Sequence, residues 1–331
     1  MTMTPAKPKL EDVAKVAGVS PTTVSRVLNK RGYISQATHD KVHQAIEAIG
    51  YFPNEVARSL HGHKTKLIGL LFPNVTNPFY GEMVTHIENL LSAHGYKVLI
   101  CNTDNNVEKE TDHLRMLLSN QVDGIIVGSR NQPSDLYQKA VMASLPVIAI
   151  DRYISDDVIN VRSDNYQGAC LATQYLLDQG CKHIGLFIGS PESEIERGDL
   201  RLQGHVDTLL FSDRKPLLLP VAFGDELAPQ QQKIKAHLLA NPQLDGVFAT
   251  GDTLAGMVSV VGNQLNHPLE IVGYDGTETF LRFCGGVSTI QQPMMTMAER
   301  AVEILLAKID GTYADTEREC VLPVVLMAKQ Y

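Results

Sequence analysis

The chain has 331 residues, 44% of them hydrophobic and 20% charged, with no Trp and a formal charge of −8. That composition excludes a disordered tail, a collagen-like fibre and a disulfide-held miniprotein, and the length suits about two units, each large enough for its own core. The charge is divided unevenly: residues 1–66 hold 10 Lys and Arg against 5 Asp and Glu, a balance of +5, and residues 67–331 balance at −13.

Met1 to Lys9 lacks the apolar core of a secretory leader, and no run approaches the ~18 apolar residues needed to cross a bilayer. The chain therefore reads as soluble and cytoplasmic. Its five cysteines, Cys101, Cys170, Cys181, Cys284 and Cys320, are widely spaced, without CxxC or Cys/His metal spacing. Reduced thiols in or near a core are expected, with no metal and no cofactor.

In chain order, Leu10, Val13, Ala14 and Ala17 recur at helical spacing, and Gly18 supplies the residue for a sharp turn. Ser20 followed by Pro21 restarts a helix: the hydroxyl can cap free N–H groups, and Pro loses nothing at the first helical position. This second helix is predicted to run to about Asn29 and to bury Val24, Val27 and Leu28. Gly32 and Tyr33 close the unit, and Ser35 caps a third helix with Val42, Ala45, Ile46 and Ile49 on one face, ending at Gly50. Two helices joined by a tight turn, in a basic segment, form the helix-turn-helix pattern that lays its second helix in the DNA major groove. A generic three-helix bundle shares that periodicity. The polar face of the second helix, Ser20, Thr22, Thr23, Ser25, Arg26 and Asn29, favours DNA, with Arg26 placed for bidentate contact to a guanine or for a phosphate.

The run Leu10-Glu-Asp-Val-Ala-Lys-Val-Ala-Gly-Val-Ser-Pro-Thr-Thr-Val-Ser-Arg-Val-Leu-Asn29, with Gly50-Tyr-Phe-Pro-Asn-Glu-Val-Ala-Arg-Ser-Leu60, resembles the N-terminus of the lactose-repressor (LacI/GalR) family. The resemblance implies a headpiece over residues 1–52 and a hinge helix and linker over 53–66, the helix ordering on operator DNA and entering the minor groove. It places Pro21, Thr22 and Arg26 on base-reading positions and Leu60 on the residue that wedges between central base pairs. It also puts Leu10, Asn54, Ala57 and Arg58 on the DNA-binding side. A hinge of about two turns is too short to be stably helical alone, so it can act as an order/disorder switch. An apolar wedge costs a few kcal/mol of unstacking, repaid by contacts to the bent duplex.

Beyond Lys66, short apolar runs at 67–72, 98–101, 124–127, 147–150, 184–188, 247–249 and 271–274 alternate with helical patterns such as 86–93, 114–120, 171–179 and 298–309. This alternation predicts two doubly wound parallel-sheet subdomains. Ligands of such sheets bind beyond the carboxyl ends of the strands. Those ends carry Asn77, Phe79, Asp104, Asp151, Arg152, Asp252, Asp275 and Gln292, a set of carboxylates, amides, a guanidinium and an aromatic ring suited to a sugar. Each Asp or Asn could equally cap the following helix.

The family core is similar to periplasmic sugar-binding proteins, which implies an effector-binding and dimerisation core over 67–331. Its N-subdomain is expected at about 67–161 and 293–319, and its C-subdomain at about 162–292 and 320–331. The match faces Phe79, Asp151, Arg152, Arg201 (in Arg201-Leu-Gln-Gly204), Asp252, Asp275 and Gln292 towards the effector, with Asn77 and Asp104 as weaker transfers. Many members have Asn-Asp where this chain has Gly251-Asp252, so an amide contact is absent here. Arg58-Ser-Leu-His-Gly62, Phe72-Pro-Asn-Val-Thr-Asn-Pro-Phe79, Asn120-Gln-Val-Asp-Gly-Ile-Ile126 and Ser163-Asp-Asn-Tyr-Gln-Gly168 are most similar to sucrose-operon repressors of Gram-positive bacteria.

The expected function is thus a homodimeric, sugar-responsive repressor with three kinds of partner: operator double-stranded DNA, a sugar or sugar phosphate, and its own second copy. A ribose-responsive regulator of the same family and a sugar-binding protein without DNA function are the alternatives. No GxxxxGK[ST], GxSxG or HExxH is present, nor a GxGxxG opening a helix after a strand, and no enzyme is expected.

Overall fold

The computed structural model describes residues 8–28, 32–51, 64–129, 134–189, 199–221, 227–314 and 317–329. The chain divides into two units between Thr65 and Lys66. Among the described residues no helix is long and apolar enough to cross a membrane.

In the first unit, α1 (Leu10–Ala17) is opened by Asp12, whose carboxylate accepts from the Lys9 N–H at 2.8 Å. Gly18 ends it at φ 66°, a left-handed turn that costs glycine little. Ser20 Oγ then accepts from Thr23 N at 3.1 Å to start α2 (Pro21–Leu28), and Ser35 caps α3 (Gln36–Ile49) in the same way. Val13, Ala14, Val24, Val27, Val42 and Ala45 form the core. Leu28, Ile46 and Ile49, expected inside, lie half-buried against it. Asn29 and residues 53–62, the predicted hinge, fall outside the described residues.

The second unit holds two six-stranded sheets. The first runs β11-β5-β4-β3-β1-β2, built from β1 (Leu67–Phe72), β2 (Lys97–Asn102), β3 (Gly124–Val127), β4 (Val147–Ile150), β5 (Ile159–Ser163) and β11 (Glu319–Leu322). The second runs β12-β10-β9-β8-β6-β7, from β6 (Ile184–Ile188), β7 (Leu217–Pro220), β8 (Gly246–Ala249), β9 (Glu270–Asp275), β10 (Ser288–Gln291) and β12 (Val325–Met327). Helices α4 (Pro78–Ala93), α5 (Val107–Ser119), α6 (Ser134–Met142) and α12 (Met294–Ile309) serve the first sheet. The second is served by α7 (Asn165–Asp178), α8 (Leu200–Phe211), α9 (Leu227–Ala240), α10 (Asp252–Gln264) and α11 (Glu278–Phe283). Covered on both faces, the central strands are continuous apolar runs.

All pairings are parallel except β10 with β12. Only two residues separate β11, which leaves the first sheet at the carboxyl end of its strands, from β12, which lies antiparallel to β10 at the edge of the second. The chain passes between the sheets after β5, after β10 and after β11. Cys320 pairs with Val161 and Leu322 with Ser163, so the first sheet reaches Ser163 and Leu322. The crossings are tied together, with Asp164 N donating to Leu322 O at 2.8 Å and Ser163 Oγ to Gln292 Oε1 at 2.7 Å.

The pair α7/α8 positions the first turn of α8. A Cβ on Gly204 would lie 2.4 Å from the Tyr166 carbonyl oxygen, so only glycine permits the helices to approach this closely. The Thr173 hydroxyl donates to Ala169 O at 2.8 Å and accepts from His205 Nδ1 at 2.8 Å; burial pushes this imidazole down to about 3, which keeps it neutral. Gly204→Val is therefore expected to cost about 1–3 kcal/mol through overpacking, read as a lower urea midpoint; an unchanged midpoint would show that the helices can separate at no cost.

Candidate functional site

On the first unit, α2 presents Pro21, Thr22 and Arg26 in exposed positions, with Thr23 and Ser25 half-buried. Ser20 and Thr23 hydroxyls lie 2.9 Å apart, so both serve the cap as well as the polar surface. Gly32 adopts φ 69°, and a Cβ there would lie 2.3 Å from an Arg26 guanidinium nitrogen. Arg26 thus folds over the turn after α2. Leu10 lies half-buried against the headpiece core, so its placement is that of a packing residue. Asn29, Asn54, Ala57, Arg58 and Leu60 are outside the described residues.

On the second unit, the carboxyl ends of the strands converge on Arg201 in the first turn of α8. Asp199 caps that turn, accepting from the N–H groups of Arg201 and Leu202. The Arg201 Nε donates to Asn165 Oδ1 at 2.7 Å, Nη1 donates to Thr250 O at 2.7 Å, and the guanidinium stacks 3.8 Å from the Tyr274 ring centroid. Its ion-pair partners are Asp151 at 3.8 Å, from the end of β4, and Asp275 at 3.9 Å, from the end of β9. Arg201 therefore joins a strand end of the first sheet to one of the second. Gln292 Nε2 donates to Asp275 Oδ1 at 2.8 Å, while Asp252 accepts from Thr289 Oγ1 at 2.6 Å and from Thr277 N at 3.1 Å. Asp151 Oδ1 is buried without a hydrogen bond, and Arg152 lies 3.8 Å from the other oxygen of this carboxylate. Asp151 and Asp275 adopt φ 58° and 120°, left-handed values that L residues hold only where the surroundings impose them.

The electrostatics follow from burial. Burial works against the Arg201 charge, and Asp151, Tyr274 and Asp275 outweigh it, so its pKa rises. Burial and the Asp275 charge push the Asp252 carboxyl well above the ordinary range, against the hydrogen bonds from Thr289 and Thr277. Burial also raises Asp275, opposed by the Arg201 cation and reinforced by Asp151.

Of the sequence-predicted effector residues, Asp151, Arg152, Arg201, Asp252, Asp275 and Gln292 form this one network. Asn77, Phe79 and Asp104 do not enter it. Asn77 caps α4 by accepting from Phe79 N at 3.0 Å; Phe79 is buried in the first-sheet core against Tyr80; Asp104 is exposed in a left-handed turn at φ 56°. For Asn77 the capping alternative describes its contacts. Ser163, Asn165, Thr250 and Tyr274 were missed. Ser163 and Asn165 lie in a motif noted only for its similarity, after a strand whose alternating Ile159-Asn-Val-Arg-Ser163 pattern lacks the apolar run used to find the others. A Cβ on Gly251 would lie 3.6 Å from Asp275 Oδ2, an ordinary contact, so the site has room for a side chain there.

Replacing Arg201 by Met leaves Asp275 buried without its cation and Asp151 with Arg152 alone, and is expected to destabilise by about 3–5 kcal/mol in chemical denaturation; a loss below about 1 kcal/mol would place the charges in water. A carboxyl pKa raised on folding means that the folded chain binds more protons above pH ~4, so stability falls as pH climbs towards neutrality. Asp252→Asn should flatten that decline in melting curves taken from about pH 5 to pH 8, whereas parallel curves would remove Asp252 as its source.

Residues 9–54 match the family model for bacterial regulatory proteins of the lacI family, and residues 65–308 match the model for periplasmic binding proteins and the sugar binding domain of the LacI family. The chain is 41% identical to the sucrose operon repressor of Streptococcus mutans over 324 residues, 97% of this chain and 98% of that one. It is 35% identical to the ribose operon repressor of Halalkalibacterium halodurans, covering 93% and 92%. The lac repressor dimer bound to operator and the anti-inducer ONPF shares the fold at a TM-score of 0.81, with 24% identity and 98% of each chain covered. With a helix-turn-helix unit followed by a core of two parallel-sheet subdomains meeting at Arg201, the chain is a member of the LacI family of bacterial regulators.

Proposed function

We propose that the protein is a cytoplasmic homodimer that represses a sucrose-utilisation operon and leaves its operator when a sugar occupies the Arg201 site. The observation that carries this reading is the 41% identity to a sucrose operon repressor across nearly the whole of both chains. The ribose operon repressor, at 35%, makes a ribose-class effector the second reading. Two guanidinium groups, Arg152 and Arg201, flank Asp151, which extends the candidates to a phosphorylated sugar.

In this reading the roles divide by what each group already contacts. Asp252 and Gln292 have their polar atoms engaged within the protein and hold the strand ends in place. Asp151 Oδ1, Arg152 and the side of Asp275 facing Gly251 are the groups that take sugar hydroxyls. A hydroxyl donating to Asp151 satisfies a buried acceptor, which is worth more than the same bond at the surface. Pro21, Thr22 and Arg26 read base edges while Ser20, Thr23 and Ser25 contact phosphates; the hinge residues Asn54, Ala57, Arg58 and Leu60 enter the minor groove.

Fluorescence anisotropy on an inverted-repeat operator, titrated with sucrose, fructose, ribose and their phosphates, tests this. The effector should weaken operator affinity about 5–150-fold, and by linkage operator must weaken effector binding by the same factor. Affinity unchanged by every sugar would overturn induction. Arg26→Ala should abolish operator selectivity and leave sugar binding intact, and loss of sugar binding in that variant would refute the division of labour.

A further inference from the structure

At the end of the second sheet opposite the Arg201 site, beyond the amino ends of β6 and β7, the surface opens into a cleft of about 360 Å³. Lys182, His183, Arg214 and Lys215 line it with the amides of Asn241 and Gln243, and no carboxylate is among its lining residues. The neighbouring Asp245 carboxylate is occupied by backbone, accepting from Lys182 N at 2.8 Å and His183 N at 2.8 Å. Arg214 Nη1 donates to the Cys181 carbonyl at 2.5 Å, so the side chain is already held in place and loses little freedom on binding an anion. Three cations converge here in a segment whose net charge is −13. Gathering like charges in a concavity costs repulsion that a dianion would relieve.

We propose that this cleft binds a small phosphorylated metabolite, its phosphate held by Lys182, Arg214 and Lys215 and its organic part against Pro216 and Leu217. The volume falls within the ~300–1,000 Å³ of small-molecule sites. The cleft also shares a rigid element with the Arg201 site. Helix α8 has 12 residues, a rod of about 18 Å. Arg201 stands in its first turn, buried Leu209 near its end backs the cleft, and Arg214 N donates back to Leu209 O at 2.9 Å. A ligand in the cleft therefore bears on the helix that carries Arg201 and tunes the effector site without competing for it.

Isothermal titration calorimetry on the full-length protein with inorganic phosphate, glucose 6-phosphate and uncharged glucose tests the assignment. Saturable binding of glucose 6-phosphate and phosphate is expected, none of glucose, and about tenfold or greater weakening in the K182Q/K215Q double variant, which removes two charge-assisted contacts. Both lysines are exposed, so the variant should retain the melting temperature of the parent chain. No saturable heat up to about 10 mM phosphate or glucose 6-phosphate overturns the proposal. So does binding that persists unchanged in the double variant, because the anion then sits elsewhere.

Discussion

A guanidinium taken out of water has to be answered on every side, and the sugar-binding core is arranged around that requirement at Arg201. The charge costs several kcal/mol to desolvate unless opposite charge and hydrogen-bond acceptors surround it. Here they come from four different places: the end of β4, Asn165 at the start of α7, the carbonyl after β8, and the end of β9, which supplies both the Tyr274 ring and Asp275. No two successive elements could supply that set. The doubly wound sheets do so because parallel strands deliver all their carboxyl ends to one edge.

The same site combines backbone and electrostatic costs in one network. Asp151 and Asp275 occupy left-handed backbone, and two carboxyls are raised by burial within one network. Such features persist only where the surroundings over-determine them. The bracing is visible: Thr289, Thr277 and Gln292 bind the two carboxylates of the second subdomain, and Gly204 lets α7 and α8 approach closely enough to aim Arg201.

How far the sequence could be read depended on the kind of signal each residue carried. Strands buried on both faces, such as 67–72 and 184–188, stood out as apolar runs and had the predicted bounds. The alternating β5 did not, because polar residues interrupt it, and neither did the edge strand β7, a run of three leucines closed by Pro220. Helices were recognised from their apolar later turns, as at 86–93 and 298–309, whereas α4 and α12 begin at Pro78 and Met294. Asp151, Arg201 and Asp275 were legible as polar residues at strand ends or through the family motif. Phe79 packs in the first-sheet core outside the Arg201 network, and an aromatic after a strand reads alike in sequence whether it faces a ligand or a core. Tyr274 was overlooked for the opposite reason, since it is an apolar-looking member of its strand whose ring underlies a cation.

The three crossings between the sheets also bear on how the core can move. A single connecting strand would leave two lobes free to swivel about its backbone dihedrals. Three strands side by side, with Asp164 bonded to Leu322 and Ser163 to Gln292, behave as a ribbon that bends easily across its width and resists torsion. Bending across the ribbon is therefore the soft motion of the two lobes, and twisting about it the stiff one.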